Sequence, residues 1–175
     1  MLREKIKGLE HRVMDMVRHG HENTAITHKI HQWSRELLAV QDVAELPQAV
    51  EQGIHRLFDV PQVALRLWGT AGMHADAPFT HGASEDVRSF ASSLTMPFCG
   101  PNLGFEATAW LARAAEVQSL ALLPLRRGAI DSADEPAFGL LVLGSPDPHR
   151  FEATMGTDYL ARIAELASAA LTRLL

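Results

Sequence analysis

The chain has 175 residues, 47% of them hydrophobic and 21% charged, which fits a folded domain with an appendage and excludes disorder or a fibre. Sixteen Lys and Arg face 21 Asp and Glu, a formal net charge of −5, so no general surface for nucleic acid is expected. The single cysteine, Cys99, excludes an internal disulfide framework and fits a reducing compartment, and no apolar run approaches the roughly 20 residues of a membrane span, so a cytoplasmic protein is expected.

Residues 1–41 hold no proline and place Leu2, Ile6, Leu9, Val13 and Met16 at alternating steps of four and three. That is the seam of a heptad repeat, which winds helices together. Gly20 and Asn23 interrupt the seam, and it resumes out of phase at Ile26, Ile30, Trp33, Leu37 and Val40. A helix of that length reaches about 60 Å and cannot bury both runs against one small domain, so part of it is expected to pair with a second copy. The competing reading is two surface helices broken at Gly20.

Residues 42–175 read as one domain. A helix is expected over Val43–Phe58, capped by Asp42, with Pro47 in its first turns and Leu46, Val50, Ile54, Leu57 and Phe58 on one face. VALRLW, Val63–Trp68, alternates as a strand, and Gly69–Ser84 reads as a long loop with a short strand at Ala77–Thr80. A short helix at Glu85–Leu94, a strand at Met96–Cys99 closed by Gly100, Pro101 and Asn102, and a helix at Phe105–Glu116 follow. SLALLPLR, Ser119–Arg126, and AFGLLVLGS, Ala137–Ser145, are apolar at nearly every position, so both faces of that part of the sheet must be covered. GSPDP ends the strand, and Thr157 caps a last helix to Leu174, whose Leu160, Ile163, Ala167, Ala170 and Leu174 repeat the three-four alternation. The fold class expected is α+β, a mainly antiparallel sheet with helices on both faces behind a long N-terminal helix.

This order resembles a GAF domain, the small sensor fold related to PAS. FGLLVLGSPDPHRFEATMGTDYLARIAELA, Phe138–Ala167, with MPFCGPN and SLALLPLR, resembles the bacterial GAF-like family numbered 484 in the domain-of-unknown-function series. The resemblance runs from about Leu2 to the end and implies the fold and dimerisation, without an established activity. That family carries a further helical segment upstream of the heptads, and this chain opens at MLREK, so it reads as a short member or a shortened chain. The Asp-Ile-Pro context of bilin-binding GAF domains does not occur. The Asn-Lys-Phe-Asp-Glu signature of cyclic-nucleotide members cannot be assembled from Lys5, Lys7 and Lys29.

The candidate ligand pocket is Arg66 and Trp68 on one strand face with Phe98, Cys99, Phe105 and Trp110 from the covering segment, an arginine among aromatics suited to a planar or anionic ligand. Arg126 and Arg127 are expected to add charge at its rim. Cys99 lacks a neighbouring base and reads as buried and inert. Five of nine histidines, His11, His19, His21, His28 and His31, lie in the N-terminal helix. No HEXXH or CXXC spacing occurs, so no metal site is expected. Protonating all nine would move the formal charge from −5 to +4. No phosphate loop, GXSXG elbow or carboxylate pair points to an enzyme.

The candidate dimer interface is Leu9, Val13, Ile26, Ile30, Trp33 and Leu37 of the first helix with Leu160, Ile163, Ala167, Ala170 and Leu174 of the last. The expected function is a homodimeric sensory or regulatory module binding a small molecule and reporting through its terminal helices to an unknown protein partner. The alternative is a dimeric interaction scaffold with a closed core. No cofactor is named by the sequence.

Overall fold

The computed structural model describes residues 1–153 and 157–175. Of the MGTDYL motif, Met155 and Gly156 therefore lie outside the described residues. The chain divides into two compact units, Met1–Gln32 and Trp33–Leu175. The sequence-based boundary at 41/42 differs because Trp33 and Leu37 are buried.

Helix α1, Leu2–Ala39, is continuous. Gly20 does not break it, and the Thr24 hydroxyl donates to the Gly20 carbonyl at 2.8 Å across one turn. In the first unit Leu2, Ile6, Leu9, Val13, Met16 and Val17 are all exposed. Polar support there is local: Arg18 donates to Asp15 at 3.2 Å.

In the second unit, Asp42 accepts from the Ala44 amide and opens a short 3-10 turn, Val43–Glu45, ahead of helix α2, Leu46–Leu57. Pro47 sits in the first turn of α2, where its missing N–H costs nothing, so the helix proper starts later than Val43. Strands β1 (Gln62–Leu67), β2 (Phe98–Pro101), β3 (Ser119–Leu125) and β4 (Gly139–Ser145) form one antiparallel sheet in the order β1-β4-β3-β2. Helices α3 (Glu85–Ser93) and α4 (Asp158–Leu171) complete the unit. The Ser84 hydroxyl caps α3 by accepting from the Val87 amide. Thr157 stands at the start of α4 without a side-chain capping bond.

Every residue of β3 and β4 is buried. On one face Leu120, Leu122, Leu140, Val142 and Ala64 pack with Val87, Ala91, Ala107, Leu111 and Val117. On the other, α2 packs on β1, α4 on β3, and the two helices on each other. Pro124 is tolerated in β3 because the Leu125 carbonyl accepts from Phe138, so Pro124 turns its donorless nitrogen away from β4, beyond the point where β2 ends.

Three expected elements differ. Ala77–Thr80 is not a strand: Pro78–Thr80 is a 3-10 turn, tightened by the Thr80 hydroxyl donating to Ala77 O at 2.7 Å. Phe105–Glu116 is not one helix but two 3-10 turns, Glu106–Trp110 and Ala114–Glu116, with Leu111 extended between them. Distant partners take the backbone there: Gln62 donates to Arg113 O at 3.0 Å and accepts from Arg113 N at 2.9 Å, overriding local propensity. Strand β2 starts at Phe98 rather than Met96 and runs on through Gly100 and Pro101, which an edge strand permits.

Trp33 is fully buried against α2, edge-on to Phe58 with ring centroids 6.2 Å apart. A Cβ at Gly53 would lie 2.4 Å from its Cδ1 and 2.5 Å from its Nε1. Gly53→Ala is therefore expected to destabilise the protein by about 1–3 kcal/mol, since a rigid ring must move. An unchanged urea midpoint would contradict this packing.

Candidate functional site

The expected pocket residues divide between the two faces of the sheet. In β1 Arg66 shares the side of Ala64, which faces the covering layer, and Trp68 follows two residues on. The Trp68 indole donates to Ala137 O at 2.7 Å and the Trp110 indole to Gly82 O at 3.0 Å, so both large rings are tied to backbone. Phe105 packs edge-on to Phe98 at 5.2 Å and stacks on Phe90 at 6.0 Å. Trp68, Phe98, Phe105 and Trp110 thus form a half-buried aromatic layer over Leu120, Leu122 and Val142. Arg66 stands over Trp110 at 5.4 Å and donates through Nε to His81 O and through Nη1 to Leu65 O, both at 2.8 Å.

Cys99 does not belong to that layer. It pairs with Ala121 while Phe98 pairs with Leu122, and successive strand residues point to opposite faces. Its side is that of α4, close enough to Tyr159 for the two ionisations to oppose each other. Burial pushes the thiol up to about 11. Burial is also the first cause raising the Tyr159 hydroxyl, with the Arg150 charge working against it.

Arg126 is not a rim charge. It is buried, and its guanidinium is satisfied by backbone carbonyls: Ser92 O at 2.7 Å, Ile130 O at 2.6 Å, Glu135 O at 3.1 Å, and Leu94 O. Ser92 and Leu94 lie at the C-terminal end of α3, where carbonyls lack helical partners and a cation is favourable. Arg126 therefore fastens α3 to the loop between β3 and β4, and burial holds its pKa below the ordinary arginine value. Arg127 is exposed.

The expected interface residues also separate. Leu9 and Val13 are 58% and 56% exposed, and Ile26, Ile30 and Ala170 are intermediate. Trp33, Leu37, Leu160, Ile163, Ala167 and Leu174 are buried inside this chain, so their side chains fill its own core and not a surface seam. The alternation along α4 is that of a helix lying on a sheet, which heptad spacing alone does not distinguish from a coiled-coil seam.

Two polar side chains hold the free edge of β1: Arg66, already a candidate, and Glu51, which the sequence left unremarked. Glu51 of α2 accepts from the Leu65 amide at 3.0 Å, and Arg66 donates to the Leu65 carbonyl, so both backbone groups of Leu65 are capped. The sequence signal of Glu51 is a lone acidic residue in the middle of α2. Burial raises the Glu51 carboxyl above its usual range, against the lowering effect of the Leu65 bond and the Arg66 charge. Among the described residues no group of three His, Cys, Asp or Glu converges as a metal site, and no helix is long and apolar enough to cross a membrane.

The four-stranded sheet, its paired cover and the long leading helix define a GAF-type domain. A GAF domain assigned to a sensor histidine kinase of Pseudomonas syringae pv. tomato superposes with a TM-score of 0.55 at 20% identity, covering 90% of this chain and 92% of that one. Free methionine-R-sulfoxide reductase of Neisseria meningitidis, solved with its substrate, gives 0.51 at 14% identity, covering 84% and 88%. The chain belongs to the family described as Protein of unknown function, DUF484, whose model matches residues 1–175. No curated protein matches it.

Two outcomes are expected from these contacts. Alkylation of Cys99 should rise about tenfold per pH unit from pH 7 to 10, because only roughly one thiol in a thousand is ionised at pH 8 when its pKa is near 11; a plateau by pH 9 would contradict the raised value. Arg126→Met should cost about 3 kcal/mol in chemical denaturation, since several buried carbonyls lose their donor.

Proposed function

We propose that this protein is a homodimeric sensory or regulatory module that binds a small molecule and reports through its terminal helices. The apolar row of Leu2, Ile6, Leu9 and Val13, exposed along an unbroken helix, carries the reading: apolar residues at heptad spacing are what a helical partner covers. Ligand binding is assigned to the half-buried layer of Trp68, Phe98, Phe105 and Trp110, with Arg66 at its edge to meet a planar or anionic group. Cys99 is left out of this site. A buried thiol with a raised pKa supports a non-enzymatic module, and the likeness to a reductase carries fold and no reaction. The single cysteine, with no disulfide partner in the chain, also favours the cytoplasm.

One observation favours a dimeric interaction scaffold instead. Both indole N–H groups of the layer are already bonded to carbonyls and the three phenylalanines pack on one another, as in a closed core. Native mass spectrometry separates the two readings: a dimer with an added noncovalent mass supports the sensor, and a bare dimer supports the scaffold.

Leu9→Glu with Val13→Glu is expected to halve the mass in light scattering while leaving the folded domain intact, because both side chains are exposed within the chain. An unchanged mass would remove the seam from the interface.

A further inference from the structure

The edge of the sheet carries a cleft that the aromatic layer does not include. Its volume is about 360 Å³, within the range of small-molecule sites, and its walls include Pro47, Gln48 and Glu51 of α2, Arg66 of β1, and Pro78 and Phe79 of the loop beyond. Pro47, Gln48 and Glu51 share one helix face by their spacing. The walls are mainly apolar, and two opposite charges stand among them.

Those charges are not spent on each other. The Arg66 charge acts on the Glu51 carboxyl, yet the two form no ion pair among the described residues. Glu51 uses Oε1 on the Leu65 amide, and its Oε2 has no hydrogen-bond partner among the described residues. Arg66 uses Nε and Nη1 on carbonyls, and its Nη2 is in the same position. Fixed by these bonds, the carboxylate and guanidinium form no ion pair, and the Oε2 of Glu51 and the Nη2 of Arg66 are left over. A ligand bridging them needs a cationic donor at one end and an anionic acceptor at the other, with an apolar portion for Pro47, Pro78 and Phe79.

We propose that this cleft binds a small zwitterion of the α-amino acid kind, its ammonium on Glu51, its carboxylate on Arg66 and an apolar side chain against Phe79. The assignment rests on the reading of the chain as a small-molecule sensor and gives it a second, separate site, which shares only Arg66 with the aromatic layer. It also ties the ligand to the aromatic layer, because the same guanidinium stands over Trp110.

The test is titration of the full chain with L-leucine, followed by amide NMR, with leucinamide and 4-methylpentanoate as the two half-ligands. L-Leucine should give saturable shifts around Glu51, Leu65 and Phe79, and each half-ligand should bind at least about tenfold more weakly. Glu51→Gln should weaken leucine by about tenfold or more while keeping the fold, since the amide oxygen still accepts from Leu65 N–H. Arg66→Met should do the same for the carboxylate end. Absence of saturable shifts up to roughly 10 mM, or equal binding of leucinamide, or unchanged affinity in Glu51→Gln, would overturn the assignment. If leucine has no effect but purified protein retains a noncovalent mass of another class, this assignment fails and the sensor reading stands. If leucine has no effect and the protein is bare, both fail.

Discussion

Strands β3 and β4, buried at every position, set the terms for the rest of the molecule. A sheet whose central pair is apolar on both faces must be covered twice, at roughly 25 cal/mol for each Å² of apolar surface removed from water. One cover is regular: α2 and α4 lie on the sheet with Leu160, Ile163, Ala164 and Ala167 fully buried. The other is assembled from α3, two 3-10 turns and an aromatic layer. The irregular cover is where a domain of this kind has room to differ, because its shape is set by side-chain contacts and not by a helix ladder.

An irregular cover has to satisfy its own backbone, and buried or half-buried polar side chains share that task with turn bonds. Asn102 donates to Val117 O at 3.1 Å and accepts from Gly104 N at 3.2 Å. Gln62 closes a two-bond pair with Arg113, and Arg126 gathers the loose carbonyls at the end of α3 and in the long hairpin loop. These are residues that composition would assign to the surface. Their placement follows from the same constraint: where the chain leaves regular structure inside the domain, side chains reach the groups that turn bonds leave over.

That division explains what was legible in the sequence. Periodicity located α1, α2, α3, α4, β1 and β2 to within a few residues, and unbroken apolar runs located β3 and β4, which are buried on both faces. It failed at Phe105–Glu116, where helix-forming alanines yield to Gln62 and the Trp110 indole bond, contacts about 50 and 28 residues away in sequence. It failed also for Cys99, because a strand read as starting at Met96 does not say which face a residue two or three places on will take until the register with Ala121 is known. Arg66 and Trp68 were readable as a shared face. Glu51 was not, because its role depends on Leu65 standing at an edge, which is a property of strand order and absent from any local pattern.

The packing at Trp33 bears on how such a domain would report a bound ligand. Its ring fills the notch left by Gly53, and its Nε1 is buried with no hydrogen-bond partner among the described residues. An orphaned buried donor costs about 1–3 kcal/mol. Coupling between sites is typically about 1–3 kcal/mol as well. Trp33 lies on the last turns of α1, and Gly53 lies on α2 two residues from Glu51. On the proposal that the cleft takes a ligand, a shift of α2 would be felt at this contact between Trp33 and Gly53.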